Sequence, residues 1–206
     1  MLHIIDHPLI AHELTALRCP SCGTGQFRHH VRRIASLMVP SVTQDFATQA
    51  LSCQTPLEQT EGRHLSRDVI LVPILRAGLG FVDGFLDMLP NASIAHVGIA
   101  RNERTLLPEP YYLKHPPHVA EAEVLILDPM LATGGSAVEA VRCLVDAGAT
   151  SLRFVCLVAA PEGISALTAA YPQVRIFTAS LDRQINAQGY ILPGLGDAGD
   201  RLFGTA

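Results

Sequence analysis

The chain has 206 residues, 49% of them hydrophobic, and a formal net charge of -4, with 15 basic and 19 acidic side chains. That is enough apolar material for one sizeable core, so a single domain spanning 1–206 is expected, and the lack of a basic tract argues against a nucleic-acid duplex as main partner. No stretch approaches eighteen uninterrupted apolar residues, the N-terminus has no leader-like pattern, and five cysteines are an odd number for a secreted framework. A soluble cytoplasmic protein with no membrane partner is therefore expected.

In chain order, 7–39 reads as helix in two pieces, broken around Cys19-Pro20-Ser21-Cys22-Gly23. The second piece has Val31, Ile34, Leu37 and Met38 near helical spacing, Pro40 is expected to end it, and 41–45 reads as the cap of another short helix. From Asp68 a strand and helix rhythm sets in: strand 69–73, helix 78–89, strand 94–99, strand 123–127, helix 137–147, strand 152–159, helix 163–170 and strand 174–179. Such alternation predicts an α/β fold with a mostly parallel sheet flanked by helices on both faces. Residues 101–117 are polar, aromatic and rich in Pro, and read as an excursion beyond the sheet edge. After Leu181 the rhythm stops, and Gly189, Gly194, Gly196, Gly199 and Gly204 mark loop whose backbone must approach something closely.

The segment 124–136 carries the chemistry. A hydrophobic strand ends on Asp128, a tight loop of Pro129, Met130, Leu131, Ala132, Thr133, Gly134, Gly135 and Ser136 follows, and an amphipathic helix begins. Backbone N–H groups and hydroxyls beside a helix N-terminus suit a phosphate, and a carboxylate at the strand end suits sugar hydroxyls or water around magnesium. No Gly-Lys-Ser/Thr triplet exists, so this is not a Walker A loop. Ligands in open parallel sheets bind beyond the carboxyl ends of the strands, where Arg76 and Arg101 also fall. Convergence of these pieces would make a container for a phosphorylated sugar bearing a diphosphate. The two arginines would neutralise the diphosphate, Thr133 to Ser136 would hold the 5′-phosphate, and Asp128 would lie along the ribose. Lys114 is the only lysine, so anion handling falls to arginine.

Four blocks give the chain a recognisable family: VPILRAGLGFVDGFL (72–86), DPMLATGGS (128–136), CLVAAPEGI (156–164) and GYILPGLGDAGDRLFGT (189–205). With them the sequence resembles the uracil phosphoribosyltransferases from residue 7 to its end, the single Asp followed by Pro129 and the glycine-rich tail being specific to the uracil-using branch. The resemblance implies a type I phosphoribosyltransferase-like fold with a small C-terminal hood, formed partly by 181–206, and a protruding arm. It implies that Arg76 and Arg101 meet the diphosphate, that Asp128 through Ser136 bind ribose and 5′-phosphate, and that Ile191, Gly196, Asp197 and Ala198 form the uracil pocket, with Asp197 also near the sugar or its metal. The implied reaction turns uracil and 5-phospho-α-D-ribose 1-diphosphate into uridine monophosphate and diphosphate, for pyrimidine salvage. Catalysis is then expected from Arg76, Arg101, Asp128 and Asp197 through positioning and electrostatics rather than a strong general base. Magnesium would arrive with the cosubstrate and not on a protein-only site, guanosine triphosphate is a possible activator, and a homodimer or higher homo-oligomer is implied. A transferase for another pyrimidine, or an RNA-binding regulator retaining the nucleotide site, are the alternatives.

The chain departs from its relatives in three places. Cys19 and Cys22 stand where an acidic residue is usual, and form a C-x-x-C pair that reads as structurally neutral, as redox-active, or as half of a zinc site with His29 and His30. In the segment Arg101-Asn102-Glu103-Arg104-Thr105, Arg104 reverses a charge, and Gln44 replaces a common arginine. The 101–115 segment corresponds to a flexible arm near the active site, read either as a water-excluding lid or as a hairpin used in subunit packing.

Overall fold

A computed structural model describes residues 1–101 and 108–205, with only the backbone of Arg101. The elements run β1 (Leu2–Ile4), α1 (Pro8–Arg18), α2 (Thr24–Thr43), β2 (Thr48–Gln54), β3 (Gln59–Leu65), β4 (Val69–Leu75) and α3 (Leu79–Leu86). They continue with β5 (Ser93–Ile94), β6 (His96–Arg101), β7 (Pro108–Lys114), β8 (Glu123–Leu127), β9 (Met130–Leu131), α4 (Gly135–Asp146) and β10 (Ser151–Ala159). The chain ends with α5 (Pro161–Ala170), β11 (Arg175–Leu181), β12 (Gln184–Ile185), β13 (Ile191–Leu192) and α6 (Ala198–Phe203).

The main sheet has the order β1-β11-β10-β8-β4-β6-β7, with β5 beside β4 and β9 beside β10. Every pairing in it is parallel except β6 with β7. Its central strands are apolar on both faces, as a doubly covered parallel sheet requires. In β8, Leu125 and Leu127 join a core with α1, α2, α3 and α6, while Val124 and Ile126 join a core on the opposite face with α4 and α5. The alternation of side chains along the strand makes that division.

The tail after β11 packs back onto the helix layer. Strands β12 and β13 pair antiparallel, and Leu195, Ala198 and Leu202 are buried in the same core as Phe27 and Val31 of α2. Residues 198–203 form a short helix, α6, capped by Asp197, whose Oδ1 accepts from the Asp200 N–H at 2.9 Å. The tail is thus not loop throughout.

Four further differences from the sequence expectations appear. Helix α2 runs through Pro40 to Thr43, so Pro40 does not end it and 41–45 is not a separate helix. Pro40 is exposed while Val39 and Val42 beside it are buried, so core packing offsets one missing hydrogen bond. Strands β2 and β3 form a hairpin where no element was expected. Both are exposed along almost their whole length, so they carry no apolar alternation to read. Strand β1 also went unread, being three residues at the sheet edge. The C-x-x-C zinc set does not assemble: His30 Nδ1 lies 2.6 Å from Glu13 Oε2, and the described residues contain no group of three or more His, Cys, Asp or Glu able to hold a metal. All five cysteines are free thiols. Of the arm, β7 from Pro108 is described, and Asn102, Glu103, Arg104 and Thr105 lie outside the described residues.

Candidate active site

The carboxyl ends of β4 and β8 lie side by side, with Pro73 in register with Leu127. The chain passes from β4 to β6 on one side and then returns to place β8 on the other. That reversal is where open parallel sheets leave a crevice. Gly78 closes it up: a Cβ there would stand 2.3 Å from the Leu127 carbonyl oxygen, so only glycine lets the turn after β4 press against the end of β8. The turn carries Arg76, exposed, with its guanidinium 5.5 Å from the Phe203 ring centre. The Leu75–Arg76 peptide is cis.

A cleft of about 320 Å³ opens here, lined by Arg76, Asp128, Met130, Ile191, Asp197 and Ala198 among others. Gly196 and Ala132 also face it. The candidate sugar side and the candidate base side, 60 to 70 residues apart in sequence, therefore share one wall-to-wall space. Asp128 keeps partial solvent contact through the cleft, yet its neighbours strip away most of its hydration. Burial pushes its carboxyl up to about 7, against a weak opposing contact from the Met130 N–H at 3.4 Å. A carboxylate this poorly satisfied is a ready acceptor for hydroxyl groups or a partner for a cation.

The phosphate-loop candidates divide. Pro129 and Leu131 are buried, and their carbonyl oxygens accept from Leu157, Val158 and Ala160 N–H groups of the neighbouring strand. They anchor the loop rather than face the cleft. Thr133 and Ser136 are exposed, and Gly134 begins α4 with φ +84° and no side-chain cap. The first N–H groups of α4 therefore point out of the helix end unsatisfied by a cap, which is the physics of an anion site. A Cβ on Gly189 would lie 4.0 Å from Thr133 Cγ2, so the loop borders the cleft mouth. Arg101 ends β6, next to β4, and pairs with Pro108. Its strand position fits the same rim.

Sequence reasoning missed the residues that hold the 191–198 wall of the cleft in place. Arg18 Nη1 donates to Asp182 Oδ2 at 2.7 Å and to the Gly194 carbonyl at 2.6 Å, and Nη2 donates to Asp182 Oδ1 at 2.6 Å. Arg201 Nη1 donates to the Leu195 carbonyl at 2.6 Å. The Arg18 contacts join residues more than 160 apart in sequence, so no local pattern signals them, whereas Arg201 and Leu195 lie only six apart within the tail. Ala77, Gly189, Tyr190 and Gly199 also line the cleft without having been singled out for it.

Comparisons with known proteins give the family and the fold. The family described as Uracil phosphoribosyltransferase matches residues 4–205. A uracil phosphoribosyltransferase of Halalkalibacterium halodurans is 51% identical over 205 residues, covering 99% of this chain and 98% of its own. One from Ligilactobacillus salivarius is 51% identical over 203 residues, covering 98% and 97%. Among solved structures, the AQ2163 protein of Aquifex aeolicus superposes with a TM-score of 0.95 at 35% identity, covering 100% of this chain and 99% of its own. The adenine phosphoribosyl transferase of Trypanosoma brucei, at 15% identity and a TM-score of 0.59 over 87% of this chain and 83% of its own, shares the fold.

Proposed function

The chain belongs to the uracil phosphoribosyltransferase family, and from that membership we propose how its own residues carry the family reaction. The enzyme joins uracil to the ribosyl phosphate of 5-phospho-α-D-ribose 1-diphosphate, giving uridine monophosphate and diphosphate. In the step itself the C1–O bond to diphosphate breaks, the C1–N1 bond to uracil forms, and the N1 proton leaves to the released diphosphate or to water.

The observation that carries the assignment of roles is the single cleft shared by Arg76, Asp128 and the 191–198 loop. Arg76, with Arg101 at the end of the adjoining strand, takes the negative charge that grows on the departing diphosphate. The free N–H groups at the start of α4, with Thr133, Gly134, Gly135 and Ser136, hold the 5′-phosphate. Asp128 accepts from the ribose hydroxyls and fixes the sugar against the base. Ile191, Gly196, Asp197 and Ala198 receive uracil with backbone groups, which read its donor and acceptor edge without loss of side-chain entropy.

Asp128, a desolvated carboxyl that accepts one weak hydrogen bond, lines the same cleft as Asp197, and this pair of carboxyls fits magnesium. Asp128 and Asp197 would hold the ion together with the diphosphate. When bound, it neutralises leaving-group charge. The free thiols fit the cytoplasm, and among the described residues no helix is long and apolar enough to cross a membrane. A homo-oligomer is supported by the β2–β3 hairpin, exposed along both strands, and by exposed Tyr111 and Tyr112 on β7. A two-stranded hairpin is marginal alone and gains stability against a second copy.

Nucleotide formation from the cosubstrate, Mg²⁺ and uracil, cytosine, hypoxanthine, adenine or orotate tests this reading, with and without guanosine triphosphate. Uridine monophosphate from uracil alone is expected. Turnover of another base, or of none, would overturn it.

A further inference from the structure

The base side of the cleft is held from behind by two arginines on consecutive carbonyls. Arg18 takes the Gly194 oxygen at 2.6 Å and Arg201 the Leu195 oxygen at 2.6 Å. Arg201 is itself fixed at three points. Its Nη2 donates to the Cys19 carbonyl at 2.8 Å and the Cys22 carbonyl at 3.4 Å, and its guanidinium lies 4.4 Å over the buried Phe27 ring. The Leu195 side chain is buried, while Gly196 faces the cleft.

A trans peptide places its C=O and N–H in opposite directions. Cis peptides occur at Leu75–Arg76 and Leu192–Pro193 and not at Leu195–Gly196. Drawing the Leu195 oxygen back toward Arg201 therefore turns the Gly196 N–H forward, and no described residue accepts from that N–H. Gly196, at φ +80°, has no side chain to screen it. Resting on the assignment of the 191–198 loop to uracil, we propose that Arg201 is a positioning residue for base recognition. By gripping the Leu195 carbonyl it fixes the Gly196 N–H as a donor for a carbonyl oxygen of the pyrimidine. A base presenting an amino group at that place meets donor with donor and is refused. The C-x-x-C turn enters the same device through its backbone: the Cys19 and Cys22 carbonyls hold the far end of Arg201.

The test is steady-state kinetics of Arg201→Met and Arg201→Lys, varying uracil and the diphosphate cosubstrate separately. Loss of one aligned hydrogen bond predicts a uracil KM raised about tenfold in Arg201→Met, with the cosubstrate KM changed by less than about twofold. Arg201→Lys, which keeps one donor for the Leu195 oxygen, recovers part of the loss. A fall in kcat with unchanged uracil KM, or equal rises in both KM values, would overturn the proposal. Should Arg201→Met fail to fold, titration of uridine monophosphate into the ¹⁵N-labelled parent decides: the Gly196 amide resonance shifts if it donates to the base, and an unmoved resonance refutes it. A parent enzyme inactive with uracil would instead sink the functional assignment. An active parent with a flat uracil KM in the variant sinks only the role of Arg201.

Discussion

Arg18 and Asp182 meet in a two-pronged ion pair, 2.7 and 2.6 Å, that ties the end of α1 to the residue following β11. The same carboxylate accepts from the Gly194 N–H at 2.8 Å and from Ser180 Oγ at 2.8 Å. One buried Asp thus fixes the entry to the 191–198 loop from both the helix layer and the sheet.

Burial works against ionisation of Asp182, but hydrogen bonds from Arg18, Ser180 and the Gly194 N–H outweigh it and hold the carboxyl below the usual range. A depressed folded value means stability that is present above the unfolded value and lost as pH falls through the folded one. Asp182→Ala, which strands Arg18, is expected to cost about 3 kcal/mol at neutral pH by denaturant unfolding. The difference from the parent should shrink on acidification below about pH 4. A pH-independent difference would show that lost packing, not the charge, is responsible.

Asp128 runs the other way. Its carboxyl is pushed up to about 7 by burial, so its favourable contribution exists below the unfolded value near 4 and disappears as pH rises through about 7. Asp128→Asn should therefore melt higher than the parent at pH 8, with the gap closing toward pH 5.

The same titration should appear in turnover. If ionised Asp128 accepts from the ribose hydroxyls, kcat/KM for the cosubstrate rises with pH through about 7 in the parent. Asp128→Asn should show a lower, flatter profile once the ionisation of the substrate itself is common to both. Superimposable profiles would remove Asp128 from sugar binding.

Arg76 is exposed and makes one ring contact, with Phe203, so its removal should barely touch stability, by less than about 0.5 kcal/mol. Arg76→Ala is expected to lower kcat/KM for the cosubstrate about 10²-fold, as for other groups that stabilise charge in the transition state. Arg76→Lys should fall between, keeping the charge without the planar fork.

Gly134 has φ +84°, and a Cβ there would stand 2.9 Å from both the Gly163 carbonyl oxygen and Ala166 Cβ. Gly134→Ala should destabilise by about 1–2 kcal/mol from the backbone conformation alone. It should also raise the cosubstrate KM, because the displaced loop carries the N–H groups at the start of α4. A variant that loses stability but keeps that KM would separate the loop from phosphate binding.

The sequence by itself determined the alternating core of this protein and the chemistry at its strand ends. Long apolar strands such as 123–127 and amphipathic helices such as 137–147 carry their period in local composition, and Val124 to Ser136 display a strand, a carboxylate and a glycine turn in one short run. Only the tertiary structure decided what lies in no local pattern. The polar β2–β3 hairpin has no buried face to impose a period, and the passage of α2 through Pro40 depends on packing around Val39 and Val42. The bonds of Arg18 to Gly194 and of Arg201 to Cys19 join the α1 end and the tail across 176 and 182 residues. Such contacts arise when the sheet brings distant segments together, and their energy belongs to the assembled pair rather than to either stretch of chain.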